Sequence, residues 1–166
     1  MSDIRPPLPS APGMPAPVAA HAQPATSGCV PAKGLTRVKF GIQTVDHNDT
    51  KLSTKFETPA HMGMVATNYE LTGGLKGQAM GAYVRLVLES GAVMDGQLVF
   101  SGTIDGRTGS VVFRVSGDCL SSISMSLKII PESATGDLRG IHGEGWYSSD
   151  NPSNGRAEGE LEIEYF

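Results

Sequence analysis

One short segment of the chain, residues 140–148, concentrates side chains that could do chemistry. If this segment is a β-strand, its two-residue period places His142, Glu144 and Trp146 on one face. A histidine and a carboxylate can exchange protons with a substrate, and an indole ring offers a stacking surface. The pattern therefore predicts either a cavity wall that carries these groups or a polar strand that faces solvent, with Trp146 packed on a rim.

A neutral hydrogen-bond donor is predicted on another segment. Gln78 shares one face of a predicted strand with Met80 and Ala82, so its amide could point into an apolar interior. Gln78, His142 and Glu144 form the predicted catalytic set. The methionines either line a cavity for an irregular hydrophobic ligand or fill gaps in a packed core. The predicted substrate-binding residues are apolar or aromatic: Met80, Ala82, Tyr83, Phe100, Phe113, Met125 and Trp146.

Known catalytic motifs do not occur in the sequence. It contains no nucleophile elbow, P-loop or dinucleotide-binding fingerprint. The four histidines, His21, His47, His61 and His142, lack the spacing of metal ligands. We therefore predict that the protein uses neither a metal nor a cofactor.

Composition and charge limit the partners and the compartment. The net charge of -4 argues against a surface for nucleic acid or for anionic membranes, and no apolar run is long enough to span a bilayer. Cys29 and Cys119 are too few for a disulfide framework, and we interpret Cys119 as a buried thiol. This cysteine usage is compatible with an intracellular setting, so we predict a cytoplasmic protein.

The element that must position these residues is a hairpin over residues 97–116. Its two arms, QLVFSGTI and SVVFRVS, alternate apolar and polar side chains around Asp105-Gly106. Aspartate and glycine tolerate the positive φ angles of a tight hairpin turn. An isolated hairpin is only marginally stable in water, so its apolar face must be covered by more sheet.

The rest of the chain from Leu35 onward supplies that sheet. Alternating segments separated by turn residues predict about nine strands, among them residues 35–44, 52–58 and 122–130, and no helix of more than two turns. Residues 46–50, DHNDT, are predicted to be a turn. Short connections and the need to remove exposed edges favour an all-β, eight-stranded antiparallel meander barrel, with one strand or the first pair irregular.

The first 33 residues differ in composition from residues 34–166, which form the predicted barrel domain. Eight of the 11 prolines lie before Ala32, and alanine and serine are frequent there. Such a segment buries too little apolar surface to offset its ordering entropy, which predicts a disordered extension. The alternative is a lid, because Ile4, Leu8, Met14 and Val18 are spaced so that they could lie across a cavity mouth.

Two segments carry a resemblance to a known family. Residues 100–117, FSGTIDGRTGSVVFRVSG, and residues 136–147, GDLRGIHGEGWY, resemble the paired motifs of an uncharacterised bacterial branch of the allene-oxide-cyclase-like barrels. The resemblance covers roughly residues 66–166 and implies a β-barrel fold. Where that family has acidic residues, this chain has Lys76-Gly77-Gln78, so the resemblance implies no acid-based role there. The combination of an extension and a barrel also resembles, in architecture, bacterial spirotetronate-type [4+2] cyclases.

These observations predict two function classes. The first is a cofactor-independent cyclase or isomerase that folds a flexible hydrophobic substrate, most concretely for an intramolecular [4+2] cyclisation in bacterial polyketide biosynthesis. Such a closure needs restricted conformers rather than a nucleophile or a metal. The second is a non-catalytic barrel that binds a small hydrophobic molecule. The expected partner in both is a polyene-like or polyketide-like molecule, and a homodimer is left open.

Overall fold

The computed structural model describes residues 34–53, 55–58, 60–119 and 121–166. The predicted N-terminal extension, with its alternative role as a lid, lies outside these residues. Within the part of the chain that is described, no helix combines the length and the hydropathy needed to cross a membrane.

Eight antiparallel strands form a closed barrel in which each strand pairs with its neighbour in sequence and the last pairs with the first. This arrangement confirms the predicted all-β, eight-stranded meander barrel. The strands are β1 (Thr36–Lys51), β2 (His61–Gly73), β3 (Leu75–Leu88), β4 (Gly91–Ile104), β5 (Arg107–Cys119), β6 (Ile123–Ile130), β7 (Ile141–Ser149) and β8 (Arg156–Tyr165).

The hairpin predicted at residues 97–116 is the pair β4 and β5. Leu98 pairs with Phe113 and Phe100 with Val111, so the apolar side chains of both arms share one face. Asp105 and Gly106 form the turn with φ angles of 48° and 77°. This is the left-handed conformation that aspartate and glycine tolerate, and the hairpin prediction is confirmed.

The start of the barrel differs from the sequence prediction. Residues 46–50 were expected to form a turn, but β1 continues through them to Lys51 and pairs with β2. Residues 52–58 were expected to form a strand, but they connect β1 to β2. Between Thr44 and Asp46 the ladder is irregular, and Val45 is an extra residue in β1. This β-bulge reverses the alternation of inward and outward side chains, which hides the strand from a two-residue pattern.

Inward side chains fill the barrel at one end and leave space at the other. The filled end is closed by 3-10 turns at Pro131–Ser133 and Gly136–Leu138, which bury Leu138 beside Gly109. Ser133 Oγ accepts a hydrogen bond from the Val112 amide at 2.8 Å and thereby holds this loop to β5. The opposite end of the barrel therefore determines access to the interior.

Candidate functional site

A cavity of about 350 Å³ lies inside the barrel at its open end. Its wall is completed by the loop before β8, including Pro152 and Gly155. A wider groove of about 600 Å³ crosses the outside of β5–β8, but it is open to solvent and lined largely by charged and serine side chains. The inner cavity is therefore the better candidate for binding. Its apolar lining consists mainly of Ile42, Val65, Met94, Ile123, Met125 and Ala157.

Three tyrosines bring their hydroxyl groups together in the barrel interior. The Oη atoms of Tyr69 and Tyr83 are 3.2 Å apart, and the hydroxyl of Tyr147 interacts with both. Tyr69 and Tyr147 line the cavity. The ring of Tyr83 lies over Gly81, where even a Cβ atom would overlap it. Glycine at position 81 therefore makes room for the tyrosine cluster (Tyr69, Tyr83 and Tyr147).

Burial keeps these phenols protonated. Desolvation is the largest cause that raises the pKa of Tyr69, Tyr83 and Tyr147 above the ordinary value for tyrosine, because a phenolate loses its hydration inside the barrel. For Tyr83 the nearby Tyr147 hydroxyl raises the pKa further. At neutral pH the cluster is therefore a set of neutral donors and acceptors.

A polar pair reaches from the mouth of the barrel toward this cluster. His47 Nδ1 lies 3.1 Å from Thr67 Oγ1, and Thr67 is only 4% exposed. His47 is paired with Thr67 across β1 and β2, so both side chains point to the inside of the barrel. The bulge at Val45 is the reason that an odd-numbered residue of β1 faces inward at this point.

Charged groups lie around the same open end. Arg85 forms an ion pair with Asp49, and its buried Nε has no hydrogen-bond partner among the described residues. Cys119 is a free thiol that lines the cavity; burial raises its pKa, and the positive charge of Arg85 opposes that effect. Arg156 also lines the cavity and donates from Nε to Gln43 Oε1 at 2.9 Å.

Four of the predicted substrate-binding residues point into the barrel. Met125 lines the cavity, and Tyr83 belongs to the tyrosine cluster. Phe100 and Phe113 are 0% and 1% exposed, and they belong to the packed core rather than to the cavity wall. The sequence pattern predicts the inward direction of Phe100, Phe113 and Met125 but not that of Tyr83, which lies opposite the predicted inward face of β3. Of the four residues, only Met125 is in direct contact with the free volume.

The predicted inward face of β3 is wrong. Gln78, Met80 and Ala82 lie on the outer face, and Met80 is 51% exposed. Ala79 and Tyr83 point inward instead. Both faces of β3 carry apolar residues, so alternation was present but did not identify the buried side. Gln78 therefore does not present its amide to the interior.

His142, Glu144 and Trp146 also lie on the outside of the barrel. Trp146 is 51% exposed, and Glu144 borders the outer groove. The ring of His142 meets the edge of Phe166 with centroids 4.6 Å apart. Ile141 and Tyr147 take the inward positions of β7. Of the two interpretations of this segment, the solvent-facing strand is correct, and the placement of His142, Glu144 and Trp146 in the cavity wall is wrong.

Sequence reasoning missed most of the polar groups of the cavity. The inward direction of Tyr147 could have been read from the alternation with Ile141 on β7. His47 and Thr67 carried no such signal, because the bulge interrupts the pattern of β1 and because threonine is frequent on both faces of a sheet. Among the described residues, no three His, Cys, Asp or Glu side chains are grouped as metal ligands would be.

Comparisons with known proteins agree with the fold. The crystal structure at 1.84 Å resolution of a protein with unknown function from the DUF3224 family of Shewanella oneidensis MR-1 superposes with a TM-score of 0.63. The match has 20% sequence identity and covers 80% of this chain and 99% of the other. No curated protein matches the sequence. The pattern of DUF3224, a family of proteins of unknown function, matches residues 38–162, and the chain therefore belongs to that family.

Proposed function

We propose that the barrel binds a small, mainly apolar molecule that carries a hydrogen-bond acceptor such as a carbonyl oxygen. The single observation that carries this proposal is a mainly apolar cavity inside the barrel that is bordered by neutral tyrosine hydroxyls. Ligand sites commonly combine an apolar wall with a few convergent polar groups, and the volume is at the lower end of their usual range of roughly 300–1,000 Å³.

The arrangement of the hydroxyls supports an acceptor on the ligand. Tyr69, Tyr83 and Tyr147 each carry one hydrogen and can each accept another. Two of the three hydrogens are enough to link the hydroxyls, so the third, on Tyr69 or Tyr147, can point toward the cavity that these two side chains line. A ligand without an acceptor would leave that donor unsatisfied in an apolar setting, which is unfavourable.

A matched pair of variants tests the binding site. Ala157 is a half-buried residue of the cavity wall, whereas Ala82 is an exposed residue of the outer face, and both are on strands. We expect Ala157→Phe to fill the cavity and to weaken binding of 2-acetylnaphthalene at least tenfold, measured by titration calorimetry. Ala82→Phe should bind like the unmodified protein. Equal affinities for all three proteins would overturn the proposal.

The role of the acceptor has its own test. The compound 2-ethylnaphthalene is close in shape to 2-acetylnaphthalene but lacks the carbonyl oxygen. We expect the ketone to bind about fivefold more tightly, because one additional hydrogen bond contributes about 1 kcal/mol. Indistinguishable affinities for the two compounds would show that the tyrosines do not contact the ligand.

A cofactor-independent cyclase or isomerase is the second candidate, and a specific observation favours it. Neutral phenols held in an apolar interior can polarise a carbonyl as charge develops on its oxygen. Confinement of a flexible substrate would also favour an intramolecular [4+2] closure. The test is the closure rate of 1,7,9-decatrien-3-one with and without protein. A faster closure in the presence of the protein, lost in Ala157→Phe, would support catalysis. Binding of the trienone without faster closure would indicate a non-catalytic binding protein.

A further inference from the structure

A continuous series of hydroxyl and imidazole groups leads from the mouth of the barrel to its interior. His47 is exposed at the mouth, and its Nδ1 is 3.1 Å from Thr67 Oγ1. Thr67 and Tyr69 are two residues apart on β2, so their side chains are neighbours on its inner face, and both line the cavity. Tyr69 Oη is in turn 3.2 Å from Tyr83 Oη, and Tyr83 is almost completely buried. Each member of this series therefore lies beside the next.

Every member of the series can both give and receive a proton. Threonine and tyrosine hydroxyls each combine one donor hydrogen with acceptor lone pairs, and imidazole has two ring nitrogens that can exchange protons separately. A side chain that only stabilises the fold would need to donate or to accept a hydrogen bond, but not both. We propose that His47, Thr67 and Tyr69 form a proton relay that connects solvent to the buried hydroxyl of Tyr83.

The relay conserves protons at each step. In one direction, a proton passes from Tyr83 to Tyr69, from Tyr69 to Thr67 and from Thr67 to Nδ1 of His47, while the other ring nitrogen of His47 gives its proton to water. The reverse sequence returns a proton from water to Tyr83, so one cycle replaces the hydroxyl hydrogen and leaves every group as it began. The relay does not depend on the proposed function.

The surroundings of His47 mix charges of both signs. Asp49 follows on the inner face of β1, and its carboxylate is paired with Arg85 of β3. Arg156 of β8 and the Cys119 thiol of β5 line the same cavity as His47. Because His47 lies at the exposed end of the series, its imidazole can exchange protons with water, whereas Thr67 is shielded from solvent.

Exchange of the Tyr83 hydroxyl hydrogen with solvent measures the relay directly. In a protein with ¹³C-labelled tyrosine rings, the Cζ resonance in mixed H₂O and D₂O reports this exchange without any ligand. We expect His47→Gln and Thr67→Val to slow the exchange of Tyr83 at least tenfold. The matched controls are His142→Gln, which removes a histidine on the outer wall, and Thr67→Ser, which retains the hydroxyl. Both controls should exchange close to the unmodified rate.

Two results would overturn the relay. One is unchanged exchange in both His47→Gln and Thr67→Val, which would mean that water in the cavity reaches the tyrosines directly. The other is exchange in Thr67→Ser as slow as in Thr67→Val, which would assign the effect to packing. If Thr67→Val does not fold, His47→Gln alone decides, because His47 is exposed. Failure of 2-acetylnaphthalene to bind would remove the proposed function and leave this measurement standing.

Discussion

At the level of single residues, the tyrosine hydroxyls of the barrel differ in whether they have partners. The hydroxyls of Tyr69 and Tyr83 form a hydrogen bond, and the Tyr147 hydroxyl interacts with them in the cluster. The hydroxyl of Tyr165 is buried and has no partner within the described part of the chain, although Arg107 lies 3.9 Å from its ring centroid. Because an unpaired buried polar group costs free energy, removal of a hydroxyl should have opposite effects at the two kinds of position.

Tyr83→Phe should destabilise the protein. The substitution removes the hydrogen bond to Tyr69 and keeps the ring over Gly81. We expect the free energy of unfolding in urea to fall by about 1 kcal/mol, the usual net contribution of one such bond. A stability equal to that of the unmodified protein would mean that the two hydroxyls do not interact.

Tyr165→Phe should leave stability unchanged or raise it by up to about 1 kcal/mol, because it removes an unsatisfied hydroxyl. The phenylalanine ring still offers its face to Arg107, so the cation–π contact is retained. The same urea titration provides the measurement. A loss comparable to that of Tyr83→Phe would show that Tyr165 Oη has a partner in solution, such as a bound water.

At the level of elements, β1 changes its surroundings part-way along its length. It pairs with β8 alone at its start and with both β8 and β2 from Phe40 to Gln43. Beyond the bulge at Val45 it pairs with β2 alone. The bulge marks the point at which β1 leaves β8, and β-bulges bend strands at such places. The inward residues of β1 therefore have even numbers before the bulge, as Ile42 does, and odd numbers after it, as His47 does.

Deletion of Val45 should be tolerated. The residues on both sides already pair with consecutive residues of β2, so removal of the extra residue preserves the register and leaves His47 facing Thr67. We expect a loss of about 1–3 kcal/mol in the free energy of unfolding, as for an ordinary single change, and a retained NMR contact between His47 and Thr67.

Deletion of Lys39 is the matched control. Lys39 lies in the regular part of β1, where it pairs with Glu160 of β8. A one-residue slip there would turn Val38 from the core to solvent, so this variant should not fold. If deletion of Val45 were equally damaging, the bulge would have a role in the fold beyond the accommodation of one residue.

At the level of the whole molecule, the closed barrel isolates a polar cluster from solvent. One end is filled by core side chains and by Leu138, and the cavity occupies the other. Because burial in the barrel reduces the hydration of their hydroxyls, Tyr69, Tyr83 and Tyr147 all have raised pKa values, with desolvation as the largest cause. The shared direction of these pKa shifts makes the stability of the barrel sensitive to alkaline pH.

Stability should therefore decrease as the pH rises above about 10, the pKa of tyrosine in an unfolded chain. Above that pH the unfolded state loses phenolic protons that the folded state retains, so the free energy of unfolding falls as pH increases. Each such tyrosine contributes about 1.4 kcal/mol per pH unit, and Cys119 and Tyr165 act in the same direction. Urea titrations between pH 8 and 11 provide the measurement.

Tyr83→Phe provides the control for the alkaline effect. This variant lacks one titrating group of the cluster, so its stability should fall less steeply between pH 10 and 11. An identical slope in the two proteins would mean that Tyr83 ionises in the folded state as easily as in the unfolded one.

Much of the fold was determined by the sequence itself. The two-residue alternation of β4, β5 and β6 identifies both the strands and their buried faces, because an apolar stripe on a strand must be covered. Asp105-Gly106 specifies the hairpin turn, since few residues adopt its positive φ angles. The meander order follows from the short connections. Phe100, Phe113 and Met125 could be placed inside the barrel for these local reasons.

Only the tertiary structure decided which groups surround the cavity. On β3 both faces are apolar, and the inward direction of Tyr83 rather than Met80 follows from the pairing with β2 and β4. On β1 the bulge brings His47 inward, although its sequence neighbours resemble a turn. On β7 Trp146 lies on the outer face and is 51% exposed, and the site lies on the other side. Alternation defines two faces of a strand, but closure of the barrel selects the one that becomes the interior.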